Sequence, residues 1–330
     1  MSMYELAIAA ILTALFFDFI NGFHDAANSI ATVVGTRILK PLQAVSLAAI
    51  ANFIGPFLFG VAVATTVGKG IINPDFVTVP IVMGALVGAI IWNLITWFWG
   101  FPSSSSHALI GGIIGAGISG AGIHAILFEG LQKVGIGIVI SPIVGFAVAF
   151  GVATLIITAF AKKRPGRVNS IFGRLQLVSS TYFSLTHGAN DGQKTMGVIA
   201  LILLSQGLIA EFEIPFYVII MAAAAIGLGT FFGGWRIIKT MAVKITQLKP
   251  YQGFAAETGG ATILAILAHA GIPASTTHGI SGSIMGAGSV RRLTAVRWGI
   301  GKKIVWAWII TIPASAAMSY AVMWVIKIFV

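Results

Sequence analysis

The chain has 330 residues, of which 57% are apolar and only 9% are Asp, Glu, Lys or Arg, and it contains no Cys. Soluble domains carry roughly 25% charged residues, so a water-soluble enzyme, a disordered chain, a disulfide scaffold and thiolate metal or redox chemistry are excluded, and lipid is the solvent this composition fits. The net charge of +11 invites a nucleic-acid partner, and only the placement of the basic residues decides that question.

Apolar stretches of about 20 residues predict ten spans, at 3–35, 42–68, 77–99, 105–127, 134–161, 170–209, 215–233, 253–270, 275–290 and 303–329. The first and sixth are long and contain polar residues, which predicts that they are interrupted. Sixteen of the twenty Lys and Arg fall in the connections after the first, fifth, seventh and ninth spans, from Arg37 and Lys40 to Lys302 and Lys303. Asp75, Glu129, Glu211 and Glu213 lie in the alternate connections. Cytoplasmic loops collect Lys and Arg, so the basic excess is a topology signal. No nucleic-acid partner is expected, and both termini are expected outside the cell membrane.

The chain repeats itself. Pro102-Ser-Ser-Ser-Ser-His107 and the Gly-rich run to Gly117 align with Pro273-Ala-Ser-Thr-Thr-His278 and the run to Gly288, with eight of sixteen positions identical. A weaker match sets Gly22-Phe-His-Asp25-Ala-Ala-Asn28 against Gly188-Ala-Asn190-Asp191-Gly-Gln193-Lys194, in the same order within each half. Five spans per half is an odd number, so the second copy enters the membrane from the opposite face. The expected fold is an all-α polytopic membrane protein of about ten spans, built as two inverted-topology repeats with discontinuous helices. The first repeat is 1–161, a basic cytoplasmic linker is 162–174, and the second repeat is 175–330. Inverted repeats with broken spans describe secondary transporters, whose substrate sites lie near the midplane; a duplicated channel is the alternative.

Asp18, Asn21, Asp25 and Asn28 form one stripe of a helix, and the repeat maps them onto Ser184, His187, Asp191 and Lys194. A carboxylate in hydrocarbon is costly and marks function by default. The paired Asp25 and Asp191 suit a bound cation, a divalent metal among the candidates; the bland alternative is that they cap broken helices. Ser104, Ser105, Ser106, Ser275, Thr276 and Thr277 follow a Pro and precede a Gly-rich helix. They are candidate N-caps, and two such N-termini can clasp a tetrahedral oxyanion with unpaired N–H groups and hydroxyls. His107 and His278 close the two runs and are candidate proton carriers. Glu257 has Leu86 as its repeat counterpart, and it either titrates during transport or pairs with Lys194 or a cytoplasmic Arg. No hydrolase elbow occurs, and no enzyme is expected.

On these motifs the chain resembles the inorganic phosphate transporter (PiT) family, whose Gly-Ala-Asn-Asp-Val-Ala-Asn signature occurs once per half. The resemblance implies a phosphate symporter with inverted repeats, a homodimer embedded in plasma-membrane lipid, and no cofactor beyond a co-transported cation. It implies phosphate binding by the two hydroxyl runs with Asn190, Gln193 and Lys194, and cation coupling through Asp25, Asn28 and Asp191. His24 stands where the signature has Asn, and Lys194 where it has the second Asn. Both departures resemble the bacterial low-affinity branch, linked to protons and to divalent metal–phosphate complexes; sodium coupling and sulfate transport are the alternatives.

Overall fold

The computed structural model describes residues 3–329, and among them the chain is helical, with one isolated antiparallel bridge between Ile72 and Ile126. The helices are α1 (Met3–Gly35), α2 (Pro41–Ile54), α3 (Ala62–Lys69), α4 (Val79–Trp99), α5 (Ser105–Ala121) and α6 (Phe128–Ala159), followed by α7 (Pro165–Ser205), α8 (Phe216–Phe232), α9 (Trp235–Lys239), α10 (Pro250–His269), α11 (Thr276–Ser289) and α12 (Trp298–Phe329). Four helices, α1, α4, α6 and α12, are each long and apolar enough to cross a membrane alone, and two bent pairs raise that number to six. Because α7 already begins at Pro165, most of the basic 162–174 stretch is helical.

Local sequence explains the boundaries. Pro stands in the first turn of α2, α4, α7 and α10, where its missing N–H costs nothing. Gly55 and Pro56 stop α2, and Gly60, at φ 68°, turns the chain into α3 at 79°. Gly233, at φ 67°, ends α8 before a segment bent by 59°. Gly100 and Gly271 sit at φ 67° and 66° after α4 and α10, left-handed positions that glycine adopts without a steric cost. Pro102 and Pro273 follow, and Ser104 and Ser275 then cap α5 and α11 by accepting the backbone N–H of His107 and His278 at 3.3 and 3.2 Å.

The expected interruptions of 3–35 and 170–209 do not occur: α1 and α7 are continuous helices of 33 and 41 residues. The breaks fall instead at 55–61 and 233–234. Gly and Pro sit there, whereas Asp25 and Asn28 of α1 and Lys194 of α7 are answered by side chains of other helices, and the backbone of both helices runs on unbroken.

The α4–α5 and α10–α11 hairpins turn inside the bundle. Trp308, ten residues into α12, donates its indole N–H to the Pro102 carbonyl at 3.2 Å, which sets that turn about 15 Å along α12 at 1.5 Å per residue. Each hairpin leans on the far half of the chain, with α5 against α12 and α11 against α6. Glycine permits this approach. A Cβ on Gly115 would lie 1.9 Å from the Ala316 carbonyl oxygen, and one on Gly286 would lie 2.2 Å from that of Phe146. Gly115→Ala and Gly286→Ala should each lower thermal stability in detergent by about 1–3 kcal/mol, the usual cost of overpacking. Unchanged melting in both would contradict the close helix approach.

Candidate functional site

The mid-sections of α1 and α7 and the N-termini of α5 and α11 meet at one place. The α1 stripe Asp18, Asn21, Asp25 and Asn28 and its α7 counterpart Ser184, His187, Asp191 and Lys194 all face inward, none more than 2% exposed. Oxygens of Asp25 and Asp191 and a ring nitrogen of His187 lie within 4.8 Å of one another. The two carboxylates therefore converge as the repeat implied, and His187 joins them.

Each carboxylate is held by a basic neighbour on its own helix and by a hydroxyl from the adjacent hairpin. Asp25 Oδ1 is 2.6 Å from His24 Nδ1 and accepts from Ser105 Oγ at 3.2 Å. The other nitrogen of His24 meets Thr96 Oγ1 at 3.0 Å, and Ser103 Oγ donates to Thr96 at 2.8 Å. Asp191 Oδ1 takes the Lys194 ammonium at 2.5 Å, while Oδ2 accepts from Thr276 Oγ1 at 3.2 Å and lies 3.3 Å from His187 Nε2. The halves interlock here. Asn28 of α1 donates to Thr276 and Thr277 at 3.2 and 2.9 Å, and Lys194 of α7 donates to Ser106 at 2.5 Å.

Several buried polar atoms have no protein partner, among them Asp25 Oδ2, both side-chain polar atoms of Asn190, and both ring nitrogens of His107. Buried polar groups are almost always hydrogen-bonded, so this cluster has the chemistry of a place that receives a polar ligand. The imidazoles of His107 and His278 pack edge to face with centroids 4.5 Å apart, and His278 stacks on Trp308 at 3.8 Å.

Three of the expected residues have partners of their own. Gln193 Oε1 accepts the N–H of Val63 at 2.9 Å and of Ala64 at 3.4 Å, capping α3, whose own sequence offers no capping side chain, while its Nε2 has no hydrogen-bond partner. Lys194 commits all three ammonium hydrogens, to Asp191, Ser106 and the Ala274 carbonyl. Glu257 pairs with neither Lys194 nor an Arg. It sits in a separate buried cluster, accepting from Thr32 at 2.6 Å, from Gln176 at 3.0 Å and from Ser179. Sequence reasoning missed Thr96 and Ser103 as supports of His24. It left His24 without a role, although a His beside an intramembrane Asp was a readable signal.

Residues 21–319 match the phosphate transporter family. The chain belongs to that family. It is 53% identical over 317 residues to a probable low-affinity inorganic phosphate transporter of Rhizobium meliloti (strain 1021), covering 96% of this chain and 95% of the relative. To a protein described in the same words from Bacillus subtilis (strain 168) it is 43% identical, covering 95% of each. Among solved structures it is similar to one described as the sodium-dependent phosphate transporter, with a TM-score of 0.87, 28% identity, and coverage of 99% of this chain and 100% of that one.

Proposed function

We propose that this chain is a secondary active symporter importing inorganic phosphate across the plasma membrane, coupled to protons, with phosphate carried as a neutral divalent metal–phosphate complex. The supporting observation is the convergence of Asp25 and Asp191 with the N-termini of α5 and α11. Helix N-termini and hydroxyls favour an oxyanion, whereas two carboxylates repel one unless a cation accompanies it. A hard divalent cation bridging carboxylate and phosphate oxygens answers both, since such ions take oxygen ligands. Asp25 and Asp191 would hold that cargo metal, and Ser104, Ser105, Ser106, Ser275, Thr276, Thr277 and Asn190 would surround the phosphate. His107, His278, Asn28 and Glu257 belong to the coupling machinery. The two halves act as inverted repeats whose hairpins alternate access to the site, and the protein works as a homodimer without catalysis. Counterflow in proteoliposomes tests the substrate class: internal phosphate or arsenate should drive exchange of labelled phosphate and sulfate should not, and exchange by sulfate alone would refute it.

Ser105→Ala and Thr276→Ala are each expected to weaken phosphate binding by about 1–3 kcal/mol, because a charge-assisted bond is lost and Asp25 or Asp191 loses a donor. Equilibrium binding of labelled phosphate measures this, and unchanged affinity in both would reduce the hydroxyls to local supports.

Both termini and the acidic connections lie outside in this reading, and the connection before α7 lies inside. Single Cys replacing Lys163 or Glu211, both exposed, should react with an impermeant thiol reagent on whole cells only at 211. Reaction only at 163 would invert the topology.

A further inference from the structure

We propose that the ammonium of Lys194 is a built-in monovalent cation, filling with the protein's own side chain the position that a co-transported monovalent metal ion would otherwise take; the inference rests on the symport reading above. The ligand set carries it. Nζ is held by a carboxylate oxygen of Asp191 at 2.5 Å, the hydroxyl of Ser106 at 2.5 Å and the backbone carbonyl of Ala274 at 2.9 Å. Unwound backbone carbonyls coordinate the coupling cation in transporters built with discontinuous helices, and carboxylate and hydroxyl oxygens are donors of the same hard kind. Here the donors come from α7, from the first turn of α5 and from the turn before α11, so three separate segments hold one nitrogen. An ammonium has three N–H donors and no acceptor, and all three are used. The residue is 1% exposed, so its charge is matched inside the protein and not by solvent.

The two halves differ here in an informative way. The repeat pairs Lys194 with Asn28, a neutral amide that donates to Thr276 and Thr277. One half thus places an uncharged donor between the hairpins, and the other places a fixed positive charge. Because Lys194 lies one helical turn from Asp191 on the same helix, its charge cannot dissociate with the cargo. A charge that never leaves cannot contribute a gradient, so the driving ion must bind elsewhere. With this position filled by Lys194, sodium has no site between the hairpins, and the driving ion is the proton of the symport reading.

The test uses purified full-length protein and two readouts, saturable binding of radioactive sodium and phosphate uptake into proteoliposomes in choline, sodium or ammonium buffer. The wild type should bind no sodium saturably and should take up phosphate equally in choline and in sodium. Lys194→Asn and Lys194→Ala should lose about tenfold or more of uptake in choline, the scale expected for a buried charge left unmatched, should gain saturable sodium binding, and should recover in sodium or ammonium. Lys194→Arg, which keeps the charge, should keep sodium-independent uptake. Saturable sodium binding by the wild type overturns the proposal, as do neutral variants that remain monodisperse and bind phosphate yet gain no cation binding. If the neutral variants do not stay folded, an Arg variant that needs sodium overturns it instead. A wild type that binds no sodium and moves no phosphate would refute the transport reading and not this one.

Discussion

Asp25→Asn and Asp191→Asn are both expected to abolish phosphate uptake, by at least about a hundredfold if each carboxylate supplies a charge-assisted contact that the cargo cannot replace, a loss on the order of 3 kcal/mol. Their effects on stability should differ. Asp25 is paired with His24 and accepts from Ser105, contacts that an amide oxygen can also accept, so Asp25→Asn should melt close to wild type. Asp191 is paired with the Lys194 ammonium, which would be left buried and unmatched. Removing one partner of a buried pair costs about 3–5 kcal/mol, so Asp191→Asn should melt well below wild type, and adding Lys194→Met should restore much of that loss. Thermal melting of the three variants in detergent, alongside uptake, checks this. Equal melting of Asp25→Asn and Asp191→Asn would show that the Lys194 pair is not the stabilising element described here.

Glu257→Gln is expected to separate exchange from accumulation. Glu257 of α10 is bonded by Thr32 of α1 and by Gln176 and Ser179 of α7, so it joins the two helices that bear Asp25 and Asp191 without touching either Asp. No Lys, Arg or His is among its hydrogen-bond partners. A neutral amide of the same shape keeps the helix contacts but cannot exchange a cation. Labelled phosphate counterflow should persist within about threefold of wild type, in line with the loss of one modest hydrogen bond, while accumulation driven by an imposed gradient should disappear. Gradient-driven accumulation at the wild-type level would remove Glu257 from the coupling machinery.

What could be read from the residues was whatever a local rule forces. Asp25 and Asp191 stood out because charge in hydrocarbon is costly, and they do converge. Ser104 and Ser275 were readable as N-caps because Pro and hydroxyl residues punctuate helices by short-range chemistry, and they cap α5 and α11. The placement of the breaks was half legible. Gly55, Pro56 and Gly233 are ordinary helix stops, but polar residues in 3–35 and 170–209 competed as a signal and pointed to the wrong segments. Partners supplied from far along the chain were not legible. Gln193 caps α3 from 130 residues away and Asn28 reaches Thr277 across 249, distances at which no helical period carries information. Lys194 read as a phosphate ligand and as a possible partner of Glu257, since nothing local reveals that Ser106 and Ala274 already take its hydrogens.

The most direct measurement is initial phosphate uptake by wild-type protein in proteoliposomes under two opposed conditions. An inwardly directed proton gradient with Mg²⁺ and no sodium should drive accumulation, and chelating the metal or collapsing the gradient with an uncoupler should stop it. Equal or faster uptake under an inward sodium gradient, in metal-free buffer and without response to pH, would contradict proton-coupled metal–phosphate symport and establish sodium coupling in its place.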